Sequence, residues 1–340
     1  MGLDNLPDNS PQTVLGRLDS QTVVSATGGR RQRWWTTPVS LWALVGLVFI
    51  AFQIWVYARW IADGGLHSIT TGTDHVSAAR ATLIVGWQVL MVIALVIVTT
   101  LVIRDCRRHH TITAVAALYA GSFATAWQDP LFNYRELVMV QSHYAVNLFT
   151  WGPYIPGWHG PHPEQQVEAM ISGGGLAYFV LIIWIWIPLT AITFAARRYP
   201  HLGRIRLYLC GVAAGTLGDY ILEWIWLPTG SYASPAAIPV LTFPAGEWYQ
   251  VPLTFGLIIS ITLSAPLAVM IHTMRQNGEF SALHGSTMFP DKTRTWMRLL
   301  AGTGVINIAC LAFMIATNLL TYFGGPIPSS MPSHLWPVPN

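Results

Sequence analysis

The chain has 340 residues, of which 53% are hydrophobic and only 10% are charged, with a formal net charge of +3. Soluble domains carry about 25% charged residues, so this composition excludes an ordinary soluble enzyme and predicts an integral membrane protein. The three cysteines show no paired spacing, which argues against a disulfide framework or a zinc site.

The N-terminal segment, residues 1–36, is rich in Pro, Asn, Asp, Gln and Ser. It lacks the apolar core of a cleavable signal and is therefore predicted to be a disordered cytoplasmic lead. A transmembrane helical domain is predicted at 37–323. Residues 324–340 are predicted to form a Pro-rich, non-cytoplasmic tail.

Seven apolar runs are predicted to cross the membrane, because each approaches or exceeds the roughly 20 residues that a spanning helix needs. They lie at 38–61, 82–103, 111–128, 172–195, 205–227, 249–274 and 298–322. The predicted fold class is an all-α integral membrane protein, a bundle of about seven transmembrane helices.

The placement of Lys and Arg orients the bundle, since cytoplasmic loops carry an excess of both residues. With the N-terminus inside, 15 of the 18 basic residues face the cytoplasm, and only Arg59, Arg80 and Arg135 lie outside. The prediction is therefore N-in and C-out, in the plasma membrane.

The segment 129–171 is long for a loop and contains an apolar stretch, 136–151, that is short for a span. It is followed at 152–163 by GPYIPGWHGPHP, which is typical of turns. An eighth span would reverse every later loop and destroy the charge bias. We therefore expect an interfacial or re-entrant helix in this segment.

Two acidic residues lie within the fifth predicted span, where an ionisable side chain is costly and marks a functional site by default. Asp219 and Glu223 are four residues apart, so they share one helical face about 6 Å apart along the axis. Two such carboxylates repel when both are ionised. One is expected to hold a proton, as acid–base catalysis requires.

Asp129 ends the third predicted span and Glu247 opens the sixth, both at the outer face. All four acids are expected to converge on one pocket, with binding residues drawn from their sequence neighbours. These are Trp127, Asn133, Tyr134, Tyr220, Trp224, Trp248 and Tyr249. Aromatic rings beside acids suit a site that generates a cation. Purely structural roles for the four acids remain open at this point.

Several cofactors are disfavoured by the residues. The only lysine, Lys292, lies in a predicted loop, which excludes a retinal Schiff base within the membrane. The absence of a mid-span histidine argues against haem. A metal held by His143, His159 and His162 is a weaker alternative. No cofactor and no nucleic-acid partner are therefore expected.

The blocks WQDPLFNY (127–134), GDYILEW (218–224) and FPAGEWYQVP (243–252), with the span layout, resemble the AveC-like spirocyclase family. The resemblance extends from about Trp42 to Phe323. Its named members act in avermectin and meilingmycin biosynthesis in actinomycetes.

The resemblance implies closure of a dihydroxy-ketone polyketide into a 6,6-spiroketal through hemiketal and oxocarbenium intermediates. A dehydratase side activity is credited to the avermectin member. As a hypothesis, Asp219 and Glu223 are the acid–base pair, with Asp129 and Glu247 assisting. The implied substrate is a lipophilic macrolide that enters from the bilayer.

Two other functions fit the same residues. One is a proton-coupled transporter or lipophile-binding membrane protein whose buried acids take up protons. The other is an acid-catalysed membrane cyclase or isomerase acting on a terpenoid.

Overall fold

A computed structural model describes residues 34–70 and 76–336. Residues 1–33, 71–75 and 337–340 lie outside the described part, and with them most of the predicted N-terminal lead and the end of the tail. The described residues are predominantly helical with a few short strands, which confirms the all-α class.

The described part of the chain contains the following α-helices, given in chain order. They are α1 (Pro38–Ala62), α2 (Ala78–His109), α3 (Ala114–Phe123), α4 (Val180–Arg198), α5 (Arg204–Trp226), α6 (Leu253–Ile259), α7 (Ala265–Asn277) and α8 (Asp291–Thr321). A π-helical turn, Ser260–Ser264, joins α6 to α7.

Six helical stretches in the described part are long and apolar enough to cross a membrane. Their bounds are Pro38–Ala62, Ala78–His109, Gly175–Arg198, Arg204–Thr229, Leu253–Gln276 and Asp291–Thr321. Each overlaps one of the predicted spans.

Hydroxyl side chains fix the starts of the first three helices. Thr37 accepts a hydrogen bond from the Ser40 backbone amide, with Pro38 at the first helical position. Ser77 caps α2 in the same way, and Thr113 caps α3. These caps satisfy amide groups that would otherwise lack partners at the helix ends.

The third predicted span is a broken helix. Helix α3 has 10 residues, and a 3₁₀ helix, Ala126–Asn133, follows it after a short turn. At about 1.5 Å per residue, α3 alone is about 15 Å long, half of the roughly 30 Å of a hydrocarbon core. All eight residues of the 3₁₀ helix are buried, which is the condition under which irregular backbone is tolerated at membrane depth.

The helix expected within 129–171 is wrong. Beyond the 3₁₀ helix, this segment contains no α-helix and instead forms short turns and three strands, β1 (Val140–Gln141), β2 (Asn147–Phe149) and β3 (Val167–Ala169). β2 pairs with β3, and β1 pairs with a later strand, β4 (Tyr232–Ala233). These strand partners compete with helix formation in an apolar stretch that contains several β-branched residues.

A cap closes one end of the bundle. It is built from the segment after the 3₁₀ helix up to residue 171, from residues 230–252 and from the described part of the tail. A further hairpin there joins β5 (Thr242–Phe243) to β6 (Val251–Pro252). The Ser142 amide donates to the Ser231 carbonyl, and the His143 amide donates to the His334 carbonyl. Leu335 is 1% exposed in this cap, so the described part of the Pro-rich tail packs against it.

Helix α8 is the most buried spanning helix and packs against α1 and α3. Helices α4, α5 and α6–α7 form a second group, whereas α2 presents most of its side chains outward. The site described next lies where the two groups meet, near the cap.

Candidate active site

Asp219 and Glu223 lie on one face of α5, as their spacing predicts. Both face the interior of the bundle and are almost completely buried, at 3% and 6% exposure. Gly215, one turn earlier, lies on the same face and is also buried. The acids occupy the last two turns of α5, next to the cap.

The two oxygens of Asp219 differ in their surroundings. The indole Nε1 of Trp184, from α4, donates a hydrogen bond of 2.5 Å to Oδ1. Oδ2 is buried and has no hydrogen-bond partner among the described residues. A Cβ atom at Gly256 of α6 would lie 2.7 Å from Oδ2, so the glycine leaves room for this oxygen.

Glu223 is held from the cap. The hydroxyl of Tyr232, in β4, donates to Glu223 Oε2. Burial and the neighbouring Glu223 carboxylate raise the pKa of Tyr232 well above its usual value. The phenol therefore stays protonated and remains a donor at neutral pH.

Asp129 comes from the buried 3₁₀ helix after α3. The amide of Gln141, in β1, donates to Oδ2 at 2.6 Å, and the hydroxyl of Tyr178 donates to Oδ1 at 2.9 Å. Glu168, in β3, is 3% exposed and lies next to Asp129, since both side chains contact the position of a Cβ atom at Gly174. The cap thus brings a fourth buried acid into contact with the site.

A single cavity of about 100 Å³ connects the two sides, with Asp129 on one wall and Asp219 and Glu223 on another. Its remaining walls are mostly apolar and aromatic. The aromatic side chains are Phe132, Tyr178, Trp184, Trp226, Tyr232, Phe255 and Phe313. An apolar site of this kind strengthens every electrostatic interaction within it.

Three of the four predicted acids converge on this cavity, and Glu247 does not. Glu247 is half-buried in the loop before β6, where its carboxylate accepts a hydrogen bond of 3.4 Å from the Ser330 hydroxyl. Its role in catalysis stays a prediction that the arrangement of the site does not support.

None of the seven predicted binding residues lines the cavity. Trp127 donates to Asn307, Asn133 binds the Met139 carbonyl, and the Tyr134 hydroxyl donates to the Pro156 carbonyl. The other four pack edge-to-face in pairs, Tyr220 against Trp224 and Trp248 against Tyr249.

The cavity residues that sequence reasoning missed fall into two classes. Trp226 is three residues after Glu223 and shares its helical face, so helical spacing could have identified it. Tyr178 and Trp184 reach the acids across long sequence separations, whereas Tyr232 is nine residues after Glu223. Glu168 lies next to Asp129 without lining the cavity, and no local pattern marks any of these residues.

The histidines suggested as metal ligands lie apart from the acids of this site. His143 Nε2 is 2.8 Å from the carbonyl oxygen of Gln165, and His162 lies beside Glu164. In the part of the chain that the structure describes, no three His, Cys, Asp or Glu side chains form a group that could hold a metal ion.

Chemically, the cavity combines three carboxyl groups with aromatic side chains in its lining. Two carboxyl groups that cannot both ionise provide an acid and a base in one place. Ring faces favour a cation that forms between them. The arrangement therefore suits proton transfer at an oxygen followed by formation of a cation.

A family model described as "Spirocyclase AveC-like" matches residues 106–339. The match begins within α2, later than the resemblance noted in the sequence, and includes the Pro-rich tail. No curated protein and no solved structure matches the chain. The match covers more than half of the chain and every acid of the cavity, and the chain belongs to the AveC-like spirocyclase family.

Proposed function

We propose that this member of the AveC-like spirocyclase family closes a dihydroxy-ketone polyketide into a 6,6-spiroketal by carboxylate acid–base catalysis, without a cofactor. The observation that carries the proposal is the convergence of Asp129, Asp219 and Glu223 on one aromatic-lined cavity. All three lie in the region that matches the family.

In the proposal, the Asp219–Glu223 pair holds one proton and Asp219 Oδ2 delivers it. This oxygen is the suitable donor because Trp184 occupies Oδ1, whereas Oδ2 has no partner among the described residues. In the proposal, Glu223 is the charged member of the pair, and Tyr232 donates a hydrogen bond to it. Asp129, on the opposite wall, is the base.

Hemiketal formation comes first. One substrate hydroxyl attacks the ketone carbon and gives its proton to Asp129, while Asp219 protonates the ketone oxygen. The proton on Asp129 then returns to Asp219 through the new hemiketal hydroxyl or through water in the cavity. The enzyme is restored and the substrate keeps all its atoms.

Ring closure follows through a cation. Asp219 protonates the hemiketal hydroxyl, the carbon–oxygen bond breaks and water leaves, which produces an oxocarbenium ion. Glycosidases handle a similar cation with two carboxyl groups. The second hydroxyl attacks, its proton passes to Asp129, and the released water carries that proton to Asp219. The substrate has then lost one water molecule.

The size of the cavity limits what it encloses. A volume of about 100 Å³ is smaller than the roughly 150 Å³ of an engineered cavity that accepts benzene. In the proposal, the cavity therefore receives the reacting carbon and its oxygens. The rest of a lipophilic substrate lies outside it.

A second cavity, of about 340 Å³, supports entry from the bilayer. It lies between the outer end of α8 and residues 131–136, and its lining includes the exposed side chains of Ile315 and Leu319. Met314 lines both cavities. The proposed route runs from the membrane through this groove, past Met314, to the acids.

The six apolar helices support a location in the membrane, and we place the chain in the plasma membrane with its N-terminus inside and its C-terminus outside. The cap and the acids are then at the outer face. A substrate made in the cytoplasm reaches them from within the bilayer.

The test uses purified protein and a dihydroxy-ketone macrolide precursor. Asp219→Asn and Glu223→Gln are compared with Glu164→Gln, which replaces an exposed acid of the cap. Because general acid–base catalysis contributes about 10²–10⁴-fold, we expect losses of that order for the first two variants and none for the control. Their product is expected to approach the epimer ratio of the uncatalysed reaction.

Full rate and stereoselectivity in both acid variants would contradict the proposed pair. Movement of unchanged precursor across a vesicle membrane by wild-type protein would instead support the transporter. The conversion assay with the dihydroxy-ketone precursor also detects the dehydratase side activity, as a product that has lost a further water molecule.

A further inference from the structure

Glu168 is a buried acid to which the proposed reaction gives no role. It lies in β3, opposite Leu148 of β2, and is 3% exposed. The hydroxyl of Thr150 donates to its Oε1 at 2.5 Å. Glu168 is absent from the lining of the cavity and faces Asp129 from the cap side.

The carboxyl groups of Glu168 and Asp129 lie close enough to share a hydrogen bond. Gly174 makes room for this contact, since a Cβ atom there would lie 2.7 Å from Asp129 Oδ2 and 3.6 Å from Glu168 Cβ. Ionised carboxylates only accept hydrogen bonds, so a bond between two carboxyl groups requires that one is protonated.

The other contacts of the pair indicate which group holds the proton. Asp129 accepts hydrogen bonds from Gln141 and Tyr178, one at each oxygen, and such donors favour the charged form. Glu168 accepts one, from Thr150. Burial, followed by the nearby Asp129 carboxylate, raises the pKa of Glu168 well above its usual value.

The surroundings cannot support a second negative charge. The titratable groups that face the pair from the neighbouring elements are Tyr57 of α1, Tyr178 before α4 and Cys310 of α8. None of them is cationic. A buried pair without a cationic partner among the described residues therefore holds one proton rather than none.

We infer that Glu168 is a protonated positioning residue that donates its hydrogen bond to Asp129 and keeps Asp129 ionised as the base of the cavity. The inference rests on the proposed function for the role of Asp129. During ring closure the substrate proton passes to Asp129 while Glu168 keeps its own proton. When Asp129 gives that proton to water, the hydrogen bond between the carboxyl groups is restored.

The first test is infrared spectroscopy of the full chain in an ester-free detergent at neutral pH. We expect the carbonyl band of protonated carboxylic acids to lose intensity in Glu168→Gln and to keep it in Asp129→Asn. Glu164→Gln, an exposed acid four residues earlier, is the matched control and leaves the band unchanged. An undiminished band in Glu168→Gln would overturn the inference, as would loss of the band in Asp129→Asn.

The second test is the pH profile of kcat/KM. Glu168→Leu removes the carboxyl group that donates to Asp129, so Asp129 takes up a proton more readily. The acidic limb of the kcat/KM profile is therefore expected to move to higher pH. We expect about a tenfold lower kcat/KM at neutral pH, the order of effect of losing one hydrogen bond to a charged group. Glu168→Gln keeps a donor and restores the wild-type profile.

An unshifted limb in folded Glu168→Leu would contradict the positioning role. If the wild-type protein does not convert the precursor, the proposed function itself fails. The infrared measurement then still decides where the proton lies.

Discussion

The two carboxyl oxygens of Asp219 differ: one accepts a hydrogen bond, and the other has no hydrogen-bond partner among the described residues. Trp184 holds Oδ1, and Gly256 leaves space at Oδ2. Pro188, four residues after Trp184 in α4, has no amide proton to donate to the Trp184 carbonyl. The helix is therefore less regular at the residue that orients the proposed acid.

Replacement of this indole tests the orientation directly. Trp184→Phe removes the hydrogen bond to Asp219, and we expect kcat to fall about tenfold, as for the loss of one hydrogen bond. Trp186→Phe makes the same substitution two residues later, at a half-buried position outside the cavity. Kinetics with the dihydroxy-ketone precursor compare the two variants. Equal rates in both would refute an orienting role for Trp184.

At the residue scale, the sequence predicts contacts that repeat along one helix and misses those that the fold creates. The spacing of Asp219 and Glu223 placed both on the buried face of α5. Tyr220 and Trp224 each follow an acid directly along the helix. Successive residues of an α-helix are rotated by about 100°, so these two side chains point away from the face that carries the acids. Tyr232 and Glu168 come from strands of the cap, whose partners are distant in sequence.

At the scale of elements, the contact between α1 and α8 depends on two glycines. A Cβ atom at Gly46 would lie 2.0 Å from the Leu300 carbonyl oxygen, and one at Gly304 would lie 2.3 Å from the Trp42 carbonyl oxygen. Small residues permit this close approach of helix backbones, which stabilises helix packing in membranes.

Alanine at either glycine is expected to separate the two helices. Gly46→Ala and Gly304→Ala should each lower the free energy of unfolding by about 1–3 kcal/mol, as other overpacked sites do. Gly86→Ala, on the outward face of α2 where a Cβ meets nothing within 4 Å, is the matched control. Thermal unfolding in detergent measures all three. A transition temperature of Gly46→Ala equal to that of the control would show that the close contact does not stabilise the bundle.

The membrane spans could be predicted because each is a continuous apolar run in the sequence. The structure of the connection at 129–171 could not be predicted in this way. Its apolar stretch is long enough for a short helix, but β1 pairs with β4, about 90 residues later in the chain. The third span ends as a 3₁₀ helix around Pro130. Burial by the surrounding protein stabilises this irregular backbone, and composition does not reveal that burial.

At the scale of the whole molecule, most basic residues of the described part lie at the end of the bundle opposite the cap, whereas Arg59, Arg80 and Arg135 lie at the cap end. Arg298 of α8 donates to the Ile112 carbonyl at one end, whereas the strands and the described tail meet at the other. From the positive-inside rule, we expect the cap at the outer face.

Single cysteines in a background without Cys106, Cys210 and Cys310 test this orientation. Glu164→Cys lies in the cap and Lys292→Cys at the opposite end, and both positions are exposed. A membrane-impermeable maleimide is expected to label Glu164→Cys in intact cells and Lys292→Cys only after permeabilisation. The reverse pattern would place the acids near the cytoplasm.

The position of a bound spiroketal tests the central claim most directly. The measurement is a structure of the purified protein in a lipid nanodisc with a stable spiroketal product. We expect the ketal oxygens within hydrogen-bond reach of Asp219 and Asp129, at about 2.6–3.2 Å or through one water molecule. A product bound with its ketal carbon away from both carboxyl groups would contradict this expectation.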